Sequence, residues 1–275
     1  MQSAPTTRVA IAGATGRMGS LADRLIEAAE GFEVVARLDS RTPLDAMTDA
    51  DLVVDFTLPH VSPKVVDFAV AHGMRALVGT SGWTGERIEA LRRRVAAAPG
   101  TGVLIVPNFS VGSVLATSFA AMAARFFDSI EILEAHHARK VDSPSGTAVR
   151  TAELIGAARA DLGPVSAPHA DQRARGQQVA SVPVHSLRLS GVVAKQDVLF
   201  GGDGEVLTIS HETLSPSAYE SGILLALRAA RDLEGVTVGL DSLLDLRLAP
   251  PRDGTAARPP ADGEPSGQAA AATTA

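Results

Sequence analysis

An apolar run that ends in a glycine-rich turn and then enters a helix leaves few folds open to this chain. Arg8 to Ala12 (RVAIA) is rich in β-formers, Gly13-Ala14-Thr15-Gly16-Arg17-Met18-Gly19 follows, and Ser20 to Ala29 reads as a helix. Strand, glycine turn and helix in that order open a dinucleotide-binding fold. The spacing is G-x-x-G-x-x-G, a variant of the usual G-x-G-x-x-G. The glycines let backbone approach a pyrophosphate, and the helix N-terminus receives its charge. A second strand, Phe32 to Leu38, ends at Asp39, 20 residues past Gly19. A carboxylate at that distance meets the ribose hydroxyls of an adenine dinucleotide.

The alternation continues. Asp51 to Phe56 reads as a strand and Val61 to Ala71 as a helix, with Pro63 tolerated in its first turn. Arg75 to Val78 is a strand that runs into Gly79-Thr80-Ser81-Gly82, and Thr84 is placed to cap a helix over Arg87 to Ala98. Gly102 to Val106 is a fifth strand, ending in Pro107-Asn108-Phe109-Ser110. Strands alternating with helices predict a doubly wound parallel sheet, an α/β architecture whose ligands bind past the carboxyl ends of the strands. Gly13, Asp39, Gly79 and Asn108 all follow strand ends, so they converge on one edge. Each also has an ordinary reading: Asp39 as a loop residue, Gly79 as a tight turn, Asn108 as a cap.

Val111 to Phe127 is a long apolar helix that links into a second region. There, Glu134-Ala-His136-His137-Ala-Arg139-Lys140-Val-Asp142-Ser-Pro144-Ser145-Gly146-Thr147 packs two histidines, two cations and two carboxylates into fourteen residues. The apolar run Ile130 to Leu133 leads in as a strand, and Ala148 to Ala158 leads out as a helix that Ser145 can cap. Freed N–H groups at such a helix start bind carboxylates, and histidines move protons near neutral pH. The stretch is suited to holding a small carboxylate and exchanging a proton beside it. Adjacent histidines in a strand point to opposite faces, so only one faces a pocket unless the strand has already ended. His136, His137, Asp142 and Glu134 are competent metal ligands, but their spacing fits no closed zinc pattern and two cations sit among them. A merely solvated loop is the third reading.

Asp161 to Ala180 reads as a surface loop, with His169, Arg173 and Arg175 solvated. Val182 to Leu189, Val192 to Phe200 and Glu205 to His211 are β-rich, and Gly201-Gly202-Asp203-Gly204 is a hairpin signal. An antiparallel or mixed sheet flanked by helices follows, an α+β pattern in which His185 and His211 are structural. Ser215-Pro216 opens a last helix that ends near Gly235, and Leu240 to Leu248 closes the apolar chain. From Ala249 the residues are mostly Pro, Ala, Gly and Thr, which predicts disorder over 249–275.

Composition removes several functions. With no cysteine there is no disulfide, thiol nucleophile or thiolate metal site, which fits a reducing cytoplasm. Net charge is -6 without a dense basic patch, which argues against nucleic acid. The first seven residues lack a signal-peptide core, and no apolar run approaches the roughly 20 residues of a membrane span.

The motifs GATGRMG, VDFT, GTSG, PNFSVG and above all E-x-H-H-x-x-K-x-D-x-P-S-G-T-A lie between Arg8 and Leu248. On them the chain resembles the dihydrodipicolinate reductase family, the 4-hydroxy-tetrahydrodipicolinate reductases of the bacterial diaminopimelate and lysine pathway. The resemblance implies a Rossmann-like cofactor domain over 1–110 and 215–248. It implies an α+β domain over 111–214 for substrate binding and homotetramer formation. It implies His136 and Lys140 as catalytic proton donors, and His137, Gly146 and Thr147 as contacts to a dicarboxylate substrate. Gly13, Ala14, Thr15, Gly16, Arg17, Met18, Asp39, Gly79, Thr80, Ser81, Val106, Pro107, Asn108 and Phe109 would line NADH or NADPH, with no metal. Ser81 stands where the family commonly has threonine. Some relatives place arginine directly after the acidic residue, whereas here Ser40 intervenes before Arg41, so the choice of cofactor stays open. A dinucleotide sensor without turnover and a metal-dependent hydrolase are the competing readings.

Overall fold

The computed structural model describes residues 5–244 and 246; the tail expected over 249–275 lies outside them. In chain order the elements begin with β1 (Thr7–Ala12), α1 (Arg17–Glu27), β2 (Phe32–Leu38), β3 (Leu52–Asp55), α2 (Ser62–Ala71) and β4 (Arg75–Val78). They continue with α3 (Gly85–Ala96), β5 (Gly102–Ile105), α4 (Val111–Ala123), β6 (Ser129–His137) and α5 (Gly146–Ala158). The last are β7 (Gln177–Val179), β8 (Val182–Leu189), β9 (Ala194–Gly202), β10 (Glu205–Thr213), α6 (Glu220–Ala230) and β11 (Gly235–Val238).

Six strands form one parallel sheet in the order β11-β5-β4-β3-β1-β2. β3 and β5 are buried throughout, which is why they read as continuous apolar runs rather than alternating ones. One face packs on α1 and α6 through Leu21, Ile26, Ile223 and Leu227. The other packs on α2 and α3 through Val65, Val66, Leu91 and Val95. From β1 the chain steps to β2 on one side, then crosses to β3 on the other. The strand order therefore reverses beside β1, and a crevice opens there past the strand ends.

The second sheet runs β10-β9-β6-β8-β7, with β6 at its centre, antiparallel to β9 and parallel to β8. The parallel pair is joined through α5, as such a crossover requires. Ala120 of α4, Ala148, Ala152 and Ile155 of α5, and Ile130, Ile132, Val198 and Phe200 of the sheet form its core. The opposite face leaves Leu187, Leu189, Leu199 and Val206 exposed.

Four local expectations are corrected. The strand that enters the histidine motif continues through His137 instead of ending at Leu133, because the ladders to β8 and β9 run on. The 161–180 segment includes β7, an edge strand of three residues too polar to show a pattern. Ser215 does not cap a helix: Pro216–Tyr219 is a 3-10 turn, and α6 begins only at Glu220. After α6 the chain adds β11 parallel to β5, where a helix ending near Gly235 was expected.

Candidate active site

The glycine turn is pressed against the loop after β3. Gly13 has φ +82°, and a Cβ there would lie 2.5 Å from the Phe56 carbonyl oxygen. A Cβ on Gly19 would lie 2.1 Å from the Gly13 carbonyl oxygen, so the first turn of α1 sits directly on the glycine turn. The N–H groups of Gly13 and Ala14 donate to the Leu38 carbonyl at 2.9 and 3.1 Å, which ties the turn to the end of β2 beside Asp39. Asp39 accepts from the Arg41 N–H at 2.9 Å and from the Thr42 hydroxyl at 2.9 Å. These bonds hold its carboxyl down at about 2. The side chains of Thr84, Ser110 and Ser145 cap α3, α4 and α5. α1, with Gly16 at its N-cap position, has no side-chain cap and no acid in its first turn, as is also true of α2. The start of α1 follows the glycine turn directly, and a helix start of this kind can receive an anion.

Buried Asp55 fastens two further loops. Its carboxylate accepts from the Thr57 N–H at 2.9 Å, from the Thr57 hydroxyl at 2.6 Å and from the Ser62 hydroxyl. Ser62 in turn accepts from the Trp83 indole at 3.0 Å, next to the Gly79-Thr80-Ser81-Gly82 loop.

β6 delivers the histidines. His136 Nδ1 lies 2.6 Å from Oε2 of Glu134, which is fully buried. Arg188 of β8 grips the same carboxylate with both terminal nitrogens at 2.9 Å, and the Ser145 N–H donates to it at 3.1 Å. Burial pushes the Glu134 carboxyl up, but hydrogen bonds from His136, Arg188 and Ser186 outweigh it and hold it at about 2. The carboxylate is therefore charged and acceptor-only, and His136 is the donor at Nδ1. Burial, then the positive charges of Arg139, Arg17, His136 and Lys140, push His137 down. Lys140 Nζ donates to Asp142 Oδ1 at 2.7 Å. Thr147 Oγ1 accepts from Asn108 Nδ2 at 3.3 Å, which links α5 to the loop after β5.

Of these residues His136, His137, Lys140, Ser145, Thr147 and Asn108 line one cavity of about 690 Å³. It brings together Arg17, Met18, Gly79, Pro107, Asn108 and Phe109 from the first sheet's edge with His136, His137, Lys140 and Thr147. Because His137 ends β6, both histidines reach the cavity despite their opposite directions. Gly13, Ala14, Thr15, Gly16, Asp39, Thr80, Ser81, Val106 and Gly146 do not line it. Val106 lies in the core, and Thr80 is buried with its hydroxyl 3.3 Å from the Asp55 carbonyl. Among the described residues no three His, Asp or Glu side chains gather as a metal site.

Sequence reading overlooked Arg188 and the wall formed by Lys195, Gln196 and His211. No local motif marks them. One signal was available for Arg188: in β8, Val182 and Val184 face the core, so period-2 alternation turns Ser186 and Arg188 the same way. An inward cation needs an anion. His211 is structural, as expected, through Ser110 Oγ at 3.1 Å, but it also lines the cavity. His185 pairs with Glu131 at 2.7 Å, and Arg175, expected to be solvated, joins that pair.

Residues 7–109 match the family described as dihydrodipicolinate reductase, N-terminus, and residues 112–244 match dihydrodipicolinate reductase, C-terminus. The chain belongs to the dihydrodipicolinate reductase family. A 4-hydroxy-tetrahydrodipicolinate reductase from Clavibacter sepedonicus is 66% identical, spanning 98% of this chain and 100% of its own. One from Streptomyces griseus is 49% identical over 87% of this chain and 98% of its own. The dipicolinate-bound dihydrodipicolinate reductase from Paenisporosarcina sp. TG-14 superposes with a TM-score of 0.74 at 30% identity, covering 87% of this chain and 100% of that one. As a member of this family the chain is an oxidoreductase that catalyses NAD(P)H-dependent reduction in diaminopimelate and lysine biosynthesis. Its parallel sheet with a second α+β layer is the family's architecture.

Proposed function

We propose that 4-hydroxy-tetrahydrodipicolinate is reduced in the 690 Å³ cavity, with His136 and Lys140 as the proton-delivering pair. The observation that carries this reading is the His136–Glu134 contact of 2.6 Å. It occupies Nδ1 and leaves Nε2 of a cavity-lining ring to exchange a proton. A bound nicotinamide dinucleotide supplies the hydride. Loss of the 4-hydroxyl as water, with a proton from the ring carbon between C4 and the imine, gives a ring imine conjugated with a double bond; hydride added at C4 then leaves an enamine that takes a proton on carbon. His136 and Lys140 are the acids within the cavity for that step. His137 contacts the substrate as a neutral ring, and Gly146 and Thr147 hold a carboxylate at the start of α5.

The uncapped start of α1 and the two crowded glycines fit a dinucleotide. Gly13, Ala14, Thr15, Gly16, Arg17 and Met18 would hold its phosphates, and Asp39 its ribose. Gly79, Thr80, Ser81, Val106, Pro107, Asn108 and Phe109 would flank the rest. We assign 1–110 with 215–248 to a cofactor domain and 111–214 to a substrate domain. The pairing of β11 with β5 supports the first assignment. A homotetramer is supported by the exposed apolar face of the second sheet. No described helix is long and apolar enough to cross a membrane, and a cytoplasmic location is part of this reading.

The test is steady-state turnover of the pathway substrate by the wild type and by His136→Gln. Loss of the acid should lower turnover by roughly 10²–10⁴-fold with NADH affinity nearly unchanged. Near-normal turnover in the variant would overturn the proton-donor role, and tight cofactor binding without wild-type turnover would favour a sensor.

A further inference from the structure

We propose that Arg188 is a positioning residue that aligns both acids of the site, fixing His136 through Glu134 and Lys140 through the loop at Asp142. The proposal rests on the proton-donor reading of His136 and Lys140 given above.

The ladder between β6 and β8 sets Arg188 directly opposite His136. From there its guanidinium reaches Glu134, one inward position back along β6. Nη1 donates to Oε2 and Nη2 to Oε1, both at 2.9 Å, the parallel fork that a planar guanidinium makes with a carboxylate. His136 contacts Oε2 and the Ser145 N–H donates to Oε1. Each oxygen therefore accepts at least two bonds, as many as a carboxylate oxygen ordinarily takes. A carboxylate so held cannot rotate, and the His136 ring bonded to it is fixed in direction.

The same Nη2 donates to the Asp142 carbonyl at 2.5 Å. Asp142 is the residue whose side chain accepts from Lys140 Nζ at 2.7 Å. One side chain on β8 thus anchors the strand end that bears His136 and the loop that bears Lys140. Arg188 does not line the cavity, so it acts only through these two partners. A lysine there would keep the charge but lose the fork and the second anchor.

A competing role is charge balance alone, with Arg188 neutralising a buried carboxylate and nothing more. Arg188→Lys and Arg188→Gly separate the two. For Arg188→Lys, with folding checked by circular dichroism and NADH binding, turnover should fall by roughly 10²-fold, the scale of an ångström-level misplacement. NADH affinity should be unchanged and the substrate KM should move less than turnover. For Arg188→Gly, added guanidinium ion at low millimolar concentration should restore turnover, and it should not rescue His136→Gln. A folded Arg188→Lys with normal turnover, or a guanidinium effect on thermal stability without any on turnover, would overturn the proposal. If Arg188→Gly does not fold, the lysine variant decides alone. Near-normal turnover in His136→Gln would instead overturn the proton-donor reading on which the proposal rests. A crippled His136→Gln beside an intact Arg188→Lys would overturn only this inference.

Discussion

Lys140 and His136 line one cavity but should respond differently to loss. Lys140 is a cation paired to Asp142, whose carboxyl burial raises and which the Lys140 hydrogen bond and charge, a backbone hydrogen bond and Arg188 together bring below its ordinary value. On the proposed reading, Lys140→Ala removes both an acid and a positive charge that would face a dicarboxylate. Its affinity for pyridine-2,6-dicarboxylate, measured by calorimetry, should fall together with turnover, and Thr147→Val should lose affinity as well. His136→Gln should lose less affinity than either; an equal loss would mean that His136 is chiefly a substrate anchor. On the proposed reading, Asp39 is the residue that bears on the choice of cofactor. Its charge would accept ribose hydroxyls and repel a 2′-phosphate, and Arg41, 3.3 Å from it, or Arg17 in the glycine turn would offset the repulsion. We expect use of both cofactors with some preference for NADH. Arg41→Ala should lower kcat/KM for NADPH by roughly tenfold, the worth of one charge-assisted bond, and leave NADH nearly untouched. Equal effects on the two cofactors would remove Arg41 from the specificity argument.

At the scale of elements, local chemistry explains both what could be read from the sequence and what could not. β1, the glycine turn and α1 were legible because crowding by Phe56 and by the turn itself demands glycine at Gly13 and Gly19. The start of α5 was legible because Ser145 is a cap whose oxygen accepts from Ala148 N–H. Ser145→Ala should cost about 1 kcal/mol in denaturant unfolding. A change well below that would show that the Glu134 contact to the Ser145 N–H, which alanine retains, carries the turn. β11 was not legible, since GVTV is too short to show a period and becomes a strand only by pairing with distant β5. Arg188 escaped for a related reason: its partner Glu134 lies 54 residues away, joined by sheet register and not by a motif.

For the whole molecule, the buried ion pair makes a prediction about acid stability. Glu134 is fully buried between Arg188, His136 and the Ser145 N–H, and its carboxyl is held at about 2 in the fold against an ordinary 4.5. A carboxyl whose folded pKa lies below its unfolded value binds fewer protons when folded. Its contribution is therefore complete above about 4.5 and is lost as pH falls from there toward about 2. The size is of the order of 3 kcal/mol. Glu131 adds in the same direction: burial raises it, but Arg175 and His185 lower it further. Replacing Glu134 by glutamine removes the titration and leaves Arg188 facing a neutral amide. At neutral pH the variant should be less stable than the wild type by about that amount, and the gap should close as pH falls through the window. Urea unfolding of both proteins at a series of pH values measures it. If the gap stayed constant from pH 7 down to the acid transition, the cost of Glu134→Gln would be lost packing and hydrogen bonds, and the charge held by Arg188 would not be what stabilises the fold.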